Sequence, residues 1–247
     1  MSLVLLLLAG LFLPLFPASL VFNRVLARQG HPSRRALFLV LWPQLGVLLL
    51  TQARTSVPDW LAAWGLVTAL FYAYRATALR DLGHWIGFLA TSAWALLWLS
   101  DSSPAIRHLE ALGLSAPLVL LTLIGGKLEA LVGAVSTRMN LGLASVAPRY
   151  AAVLVVGVLA CVATPLAPGF FSLVGTIAAQ PPGAAAVAIA LVWLLWTWSG
   201  ARLIQGLVVG PGGGARVADL SLTAAWAYAA ALTLLGLAGI ALSEVLL

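Results

Sequence analysis

Two charged side chains of types that can exchange protons lie halfway along one apolar stretch of the chain, residues 116–135, and are therefore expected halfway along a membrane span. They are Lys127 and Glu129. A charge at the centre of a lipid bilayer costs about 3 kcal/mol on insertion scales, so it is rarely kept without a partner or a use. Helix residues two apart point about 200° away from each other, so these two are not expected to pair directly. The pattern indicates proton or ion handling inside a membrane. Its structural alternatives are a buried ion pair with another helix and a lysine that extends to the membrane surface.

A second polar group, Arg80, Asp81 and His84, covers one helical turn between two apolar stretches. Because histidine changes its charge near neutral pH, this group could be a point where protons enter or leave a path. The alternative is a solvated turn at the membrane surface. Gln44 follows Pro43 inside another apolar stretch, where its amide is predicted to hydrogen-bond to a neighbouring helix.

Other kinds of chemistry lack the residues they need. His31, His84 and His108 fall in or near different predicted connections and Cys161 is the only cysteine, so no set of haem or metal ligands is expected. The chain has no aspartate-rich pair for magnesium, and no lysine followed by serine or threonine comes after the glycines within 210–214. We therefore expect no cofactor, no resident metal and no catalytic residue here, although the chain could serve a redox-coupled or hydration-coupled complex.

The composition is that of an integral membrane protein. Hydrophobic residues make up 62% of the chain and charged residues 8%, and the mean hydropathy is +1.07, whereas soluble domains are about 25% charged. The basic residues are scattered rather than clustered, so the net charge of +6 does not indicate nucleic-acid binding. Continuous apolar runs favour helices over barrel strands. The predicted fold is an all-α transmembrane helical bundle, with residues 1–247 forming one membrane domain.

The spacing of the apolar runs predicts about eight spans. We place them at 2–23, 36–53, 59–79, 83–100, 115–136, 149–167, 184–206 and 218–245. Pro165, Pro168 and Gly169 break the sixth helix near 165–169. The stretch that follows, 170–179, is predicted to be a re-entrant half-helix or a short extra span.

Basic residues alternate between the predicted connections. The connections after the first, third, fifth and seventh helices contain ten: Arg24, Arg28, Arg34, Arg35, Arg75, Arg80, Arg138, Arg149, Arg202 and Arg216. The other connections contain two, Arg54 and Arg107. The positive-inside rule then predicts that both termini lie outside the cytoplasm, in what we expect to be a bacterial inner membrane. Trp60 and Trp98, near span ends, are predicted to be interfacial anchors.

Four short motifs follow one another along the chain. Residues 41–46 (LWPQLG) are similar to L-P-K-L-G, residues 77–82 (TALRDL) to T-D-L-K-R-L, residues 126–131 (GKLEAL) to H-A-x-x-K-A-L, and residues 164–170 (TPLAPGF) to L-G-x-P-x-x-P-G-F. In this order and spacing they resemble the antiporter-like membrane subunits of respiratory complex I, multisubunit cation/proton antiporters and related bicarbonate-uptake complexes. The resemblance implies a helical membrane subunit with central lysines that carry protons.

The chain departs from that family where the family's chemistry lies. Gln44, Arg80 and Glu129 stand at the positions of three central lysines. Glutamine cannot carry a proton as a charge, arginine stays protonated, and glutamate reverses the sign. The family's W-L-P-D-A-H signature is also absent, and the chain is about half the family's length. It resembles a shortened relative that retains mainly the distal half of the fold.

Two hypotheses follow for the function. In the first, the chain is a membrane subunit of a multisubunit complex that moves protons or monovalent cations, and it contributes a polar path. The residues of that path are Lys127, Glu129, Arg80, Asp81, His84 and Gln44. The alternative is a non-conducting scaffold subunit derived from such an ancestor, which the missing lysines favour. An independent small transporter is less favoured because no inverted repeat is visible. The expected partners are other membrane subunits and the lipid bilayer, not nucleic acid.

Overall fold

Apolar helices make up most of the chain. The computed structural model describes residues 2–53, 55–210 and 217–246, and within these ranges its regular elements are helices without any strand. The α-helices are α1 (Ser2–Phe12), α2 (Ser19–Arg28), α3 (Pro32–Gln52), α4 (Asp59–Ala78), α5 (Leu82–Ala95), α6 (Pro104–Val132), α7 (Leu143–Val146), α8 (Pro148–Cys161), α9 (Pro168–Ala179), α10 (Ala184–Val208), α11 (Leu222–Ala241) and α12 (Ser243–Leu246). The predicted all-α helical bundle is confirmed.

The first predicted helix is wrong at its centre. Residues 13–18 form a turn between α1 and α2, where Pro14 and Pro17 cannot donate helical hydrogen bonds. A tertiary contact supports this turn, because the indole of Trp98 donates to the carbonyl oxygen of Leu13 at 3.0 Å. Trp98 is only 1% exposed, so its predicted role as an interfacial anchor is also wrong.

The fifth predicted helix is displaced, and this changes the position of its charges. α6 begins at Pro104, directly after Ser103, rather than at residue 115, and it ends at Val132. Lys127 and Glu129 therefore lie five and three residues before its end, about 8 and 5 Å along the axis at 1.5 Å per residue. The expectation that they lie halfway along a span is corrected, because residues of the presumed preceding connection belong to this helix.

The break after the sixth predicted helix is confirmed. α8 ends at Cys161, the chain turns through residues 162–167, and α9 forms a separate short helix. Gly239 of α11 contacts the carbonyl of Leu166 in this turn, and a Cβ at that glycine would overlap it. Whether α9 re-enters or crosses the membrane stays a prediction.

The connections predicted to be basic meet at one end of the bundle. Asp81 forms an isolated β-bridge with Ser136, and Arg202 donates to the carbonyl oxygen of Thr77 at 3.0 Å. A backbone contact and a side-chain contact therefore join three of the four connections, directly or through their flanking helices. The side of the membrane that this end faces stays a prediction. Arg54 and Arg216 lie outside the described residues.

Four helices have the length and composition needed to cross a membrane: α3, α6, α10 and α11. α1, α8 and α9 are apolar but shorter, so the predicted number of about eight spans stays a prediction. α6 is the central element, because it contacts α3, α5, α8, α9 and α11. In its most apolar window 67% of the residues are buried, compared with 6% in that of α11. The candidate site must therefore be described from α6 outward.

Candidate functional site

Glu129 forms an ion pair with α3. The Nη1 atom of Arg35 donates to both carboxylate oxygens of Glu129, at 3.1 Å to Oε1 and 2.9 Å to Oε2. The side chains are 22% and 27% exposed, so the pair is largely withdrawn from solvent. The Nε atom of Arg35 also donates to the carbonyl oxygen of Gln29 at 2.7 Å. The guanidinium is thus held from two sides and aimed at α6.

Close packing of α3 on α6 brings this pair together. Pro32, in the first turn of α3, lies directly against Gly126, and a Cβ at that glycine would overlap the proline ring. Arg35 and Glu129 each follow one turn later on their helices, and residues three apart share a helix face. The small residue sets the helix separation, and that separation determines whether the charges can meet.

Asp81 and His84 form a helix cap at the edge of the same site. The Oδ1 atom of Asp81 accepts from the backbone N–H of His84 at 2.8 Å and lies 2.7 Å from its Nδ1. A carboxylate in this position satisfies a free N–H group in the first turn of α5. The imidazole is 59% exposed. The predicted solvated turn is therefore what the geometry shows for these two residues, and a proton-relay role for His84 stays a proposal.

The cap and the ion pair converge beside Gly83. An ideal Cβ there would lie 3.4 Å from Asp81 Oδ1, 3.6 Å from Arg35 Nη1 and 3.7 Å from Glu129 Oε1. These atoms border a cavity of about 320 Å³, which we call the Glu129 cavity. Its polar lining residues are Asn23, Arg35, Asp81, His84, Thr122 and Glu129. A cavity of this size with these polar lining groups can hold water molecules beside the two carboxylates.

Lys127 lies on a different surface from Glu129. Its side chain is exposed, and its Nζ lies 4.9 Å from the ring centroid of Tyr228 in α11. The expectation that Lys127 and Glu129 would not pair with each other is confirmed. A cation over an aromatic face is a favourable contact. Lys127 does not line the Glu129 cavity, so the structure does not bring it together with the other candidate residues.

The remaining candidates also lie apart from the ion pair. The Arg80 side chain is exposed, and its backbone carbonyl accepts from the N–H of Thr137 at 2.8 Å. Gln44 binds His108 toward the opposite end of α6: its Oε1 lies 2.6 Å from His108 Nδ1, and its Nε2 donates to the His108 carbonyl at 3.3 Å. The predicted helix–helix hydrogen bond of Gln44 is confirmed.

The sequence interpretation did not single out the most buried carboxylate of the described residues, Glu110. It is 4% exposed, and its two oxygens lie at hydrogen-bond distance from the hydroxyl oxygens of Ser100, at 2.7 Å, and Ser102, at 2.8 Å. Residues 101–114 fall in the predicted connection between the fourth and fifth spans. The signal that could have revealed it is Ser103-Pro104, a typical helix start, followed by a glutamate among apolar residues.

Between the Glu110 end and the Glu129 end of α6, the interior contains neutral hydrogen-bonded pairs of tryptophan and serine. Three indoles donate to three serine hydroxyls: Trp85 to Ser199 at 3.0 Å, Trp94 to Ser115 at 3.1 Å and Trp196 to Ser92 at 2.9 Å. We call these six residues the tryptophan–serine network, and all of them are buried. α6 has no ionisable residue between Glu110 and Lys127. Glu110 and Glu129 are 19 residues apart on α6, or about 28 Å along its axis.

Comparison with known proteins supports the fold. No family model matches the chain, and no curated protein matches it in sequence. Among solved structures, it is similar to a chain of respiratory complex I from Thermus thermophilus, with a TM-score of 0.76, 22% identity, and coverage of 99% of this chain and 58% of that chain. It is also similar to a chain of the Mrp complex from Dietzia sp., with a TM-score of 0.84, 15% identity, and coverage of 99% of this chain and 57% of that chain. A chain of the membrane-bound sulfane sulfur reductase, an archaeal respiratory membrane complex, is similar with a TM-score of 0.80, 15% identity, and coverage of 96% of this chain and 52% of that chain.

The coverage and the sequence identity limit what these similarities show. The chain spans 52–58% of the length of those three chains. At such identities the likeness is one of fold, and the residues at the site must be interpreted from their own geometry. The resemblance to membrane subunits of complex I and related complexes, expected from the colinear motifs, is confirmed at the level of the fold.

Proposed function

We propose that this chain is a membrane subunit of a multisubunit ion-translocating complex, and that its helical bundle supports the complex without itself carrying protons across the membrane. The fold likeness supports the first part, because the similar chains belong to respiratory and Mrp membrane complexes. The partners would be other membrane subunits, in a bacterial inner membrane, with the Glu129 cavity facing the cytoplasm.

The tryptophan–serine network is the observation that supports the second part. An indole N–H is a donor only and keeps its proton under physiological conditions. Ser92 accepts from an indole and donates to the carbonyl of Ala69 at 2.7 Å, and Ser199 does the same with the carbonyl of Trp196 at 2.8 Å. Their hydroxyl protons are thus committed to backbone acceptors. Because the indoles keep their protons and two of the three serine hydroxyls are committed in this way, we interpret the network as a barrier to proton hopping.

In this proposal the Arg35–Glu129 pair is a structural tie. It joins α3 to α6 through two hydrogen bonds in which both partners are charged, the stronger class of hydrogen bond in proteins. Lys127 then contributes on the outer surface, where its ammonium and Tyr228 can meet a lipid or another subunit. Neither role requires a proton to move.

Ion translocation by the assembled complex tests this proposal. The complex would be purified with its natural partners in two variants, Glu129→Gln and, as a matched control outside the cavity, Lys127→Ala. Each complex would then be reconstituted into proteoliposomes beside the wild type. We expect both complexes to assemble and to translocate ions at the wild-type rate per complex. An assembled Glu129→Gln complex with at least a tenfold lower translocation rate would overturn the scaffold proposal.

One observation favours the second candidate, a polar proton path. The Glu129 cavity is lined by two carboxylates and a histidine, and also by Asn23. The amide of Asn23 donates a hydrogen bond to the buried Thr91 Oγ1 at 3.0 Å, so polar contacts extend from the cavity into the bundle. In this alternative the cavity is a half-path from the cytoplasm, and partner subunits complete it. The same reconstitution then gives the opposite result: translocation falls in Glu129→Gln while assembly is unchanged, and Lys127→Ala has no effect.

A further inference from the structure

Glu110 lies at the end of α6 opposite the Glu129 cavity. Its carboxyl group closes a ring of short oxygen–oxygen contacts with two serines of the preceding turn. Ser100 Oγ lies 2.7 Å from Glu110 Oε2, Ser102 Oγ lies 2.8 Å from Glu110 Oε1, and the two hydroxyl oxygens lie 2.9 Å apart. All three separations are those of hydrogen bonds between oxygens.

Counting protons shows what this ring requires. Three oxygen–oxygen hydrogen bonds need three protons, and the two serine hydroxyls supply one each. If Glu110 were ionised, both hydroxyls would point at the carboxylate, and the two serine oxygens would face each other at 2.9 Å without a hydrogen between them. A proton on Glu110 completes the ring: the acid donates from Oε2 to Ser100, Ser100 donates to Ser102, and Ser102 donates to Oε1.

A calcium or magnesium site is not indicated at this ring. Calcium takes about six to eight oxygen ligands and magnesium about six, whereas Glu110 is the only carboxylate of the ring, and no group of three or more His, Cys, Asp or Glu side chains that could hold a metal ion is found among the described residues. Oxygens that are 2.7–2.9 Å apart are already joined by hydrogen bonds. The ligand that this arrangement takes is a proton.

Arg107 provides a partner for the carboxylate after the proton has left. It lies three residues before Glu110 on the same helix face. Its Nη2 atom donates to the carbonyl oxygen of Ser100 at 2.7 Å, whereas its buried Nε–H has no hydrogen-bond partner among the described residues. No cation lies within 4.0 Å of the Glu110 carboxylate in that part of the chain. An ionised Glu110 could turn from the serines to this free N–H.

We propose that Glu110 is a proton-binding site that exchanges between a neutral acid in the serine ring and a carboxylate paired with Arg107. Among the described residues, the other titratable or charged groups near this end are Asp59, Asp101, His108 and Glu244. Asp59, Asp101 and Glu244 are exposed. Glu244 lies on α12, which packs on α6, and His108 is engaged by Gln44. α9 also packs on α6 and has no charged residue. The proposal does not depend on whether the bundle conducts.

Infrared difference spectroscopy of the full chain in lipid nanodiscs tests the proposal. We expect wild-type protein to show the C=O band of a protonated carboxylic acid that loses intensity as the pH is raised. Glu110→Gln should remove this band, whereas the matched variant Glu244→Gln should keep it. Arg107→Gln should move the band's titration midpoint to higher pH, because it removes the positive charge that favours the carboxylate.

A second variant keeps the test decisive if Glu110→Gln fails to fold. Ser100→Ala removes the acceptor of the acid's hydrogen bond and should move the C=O band to higher frequency. The proposal is overturned if no carboxylic acid band is lost in Glu110→Gln over the pH range in which circular dichroism shows intact helices. An unshifted band in Ser100→Ala would also overturn it.

Discussion

Two glutamates on the same helix are stabilised in different ways. Glu129 meets Arg35, and the pair lies at the border of a polar cavity with about a quarter of each side chain exposed. Glu110 is 4% exposed and meets only serine hydroxyls and the turn that carries them. Water can help to solvate the charges of the first site, whereas the second must neutralise its charge or hold it without water. The comparison teaches that neighbouring elements decide which groups stabilise a membrane glutamate.

The largest effect is expected where helix separation creates the Glu129 site. Gly126→Ala places a methyl group against Pro32, so α3 must move away from α6 and the ion pair must lengthen. We expect a loss of about 1–3 kcal/mol in the free energy of unfolding in mixed micelles. Gly157→Ala is the matched control, because its added Cβ would make ordinary contacts at 3.4 and 3.5 Å. Equal stability of both variants would contradict the proposed role of Gly126.

Separating the charges of the ion pair should have the next largest effect. Arg35→Gln leaves the Glu129 carboxylate without its cation, and we expect a loss of about 1–2 kcal/mol after allowance for the partial exposure of both side chains. A double-mutant cycle with Glu129→Gln measures the coupling directly. The coupling should be favourable and should decrease at high salt. A coupling of zero would show that the pair is not a tie between α3 and α6.

The smallest effect is expected at Glu110, and it sharpens the comparison most. The amide of glutamine has one donor side and one acceptor side, like a protonated acid, so Glu110→Gln can keep the serine ring. We expect a change in the free energy of unfolding below about 1 kcal/mol at neutral pH. The measurement is the same unfolding assay, run beside Glu129→Gln. If Glu110→Gln is the more damaging of the two, Glu110 acts as a carboxylate and the comparison fails.

The sequence predicted the class of fold but not the register of its helices. The composition was sufficient for a helical bundle, and the clustered prolines and glycine were sufficient for the break before α9. The displaced start of α6 was missed because polar residues fill its first two turns. That error removed Glu110 from consideration and placed Glu129 at the wrong depth. Trp98 was misassigned for a related reason: an indole near the end of an apolar run can serve either the interface or the interior.

The sequence by itself determined that the chain is an apolar helical bundle and that Lys127 and Glu129 face different directions. These results follow from composition and from helical periodicity, which act locally. Only the tertiary structure decided which groups meet the charges: Arg35 for Glu129, Tyr228 for Lys127 and two serines for Glu110. Such partners lie on other helices or in adjoining turns, and the close approach of elements such as Pro32 and Gly126 sets their distances.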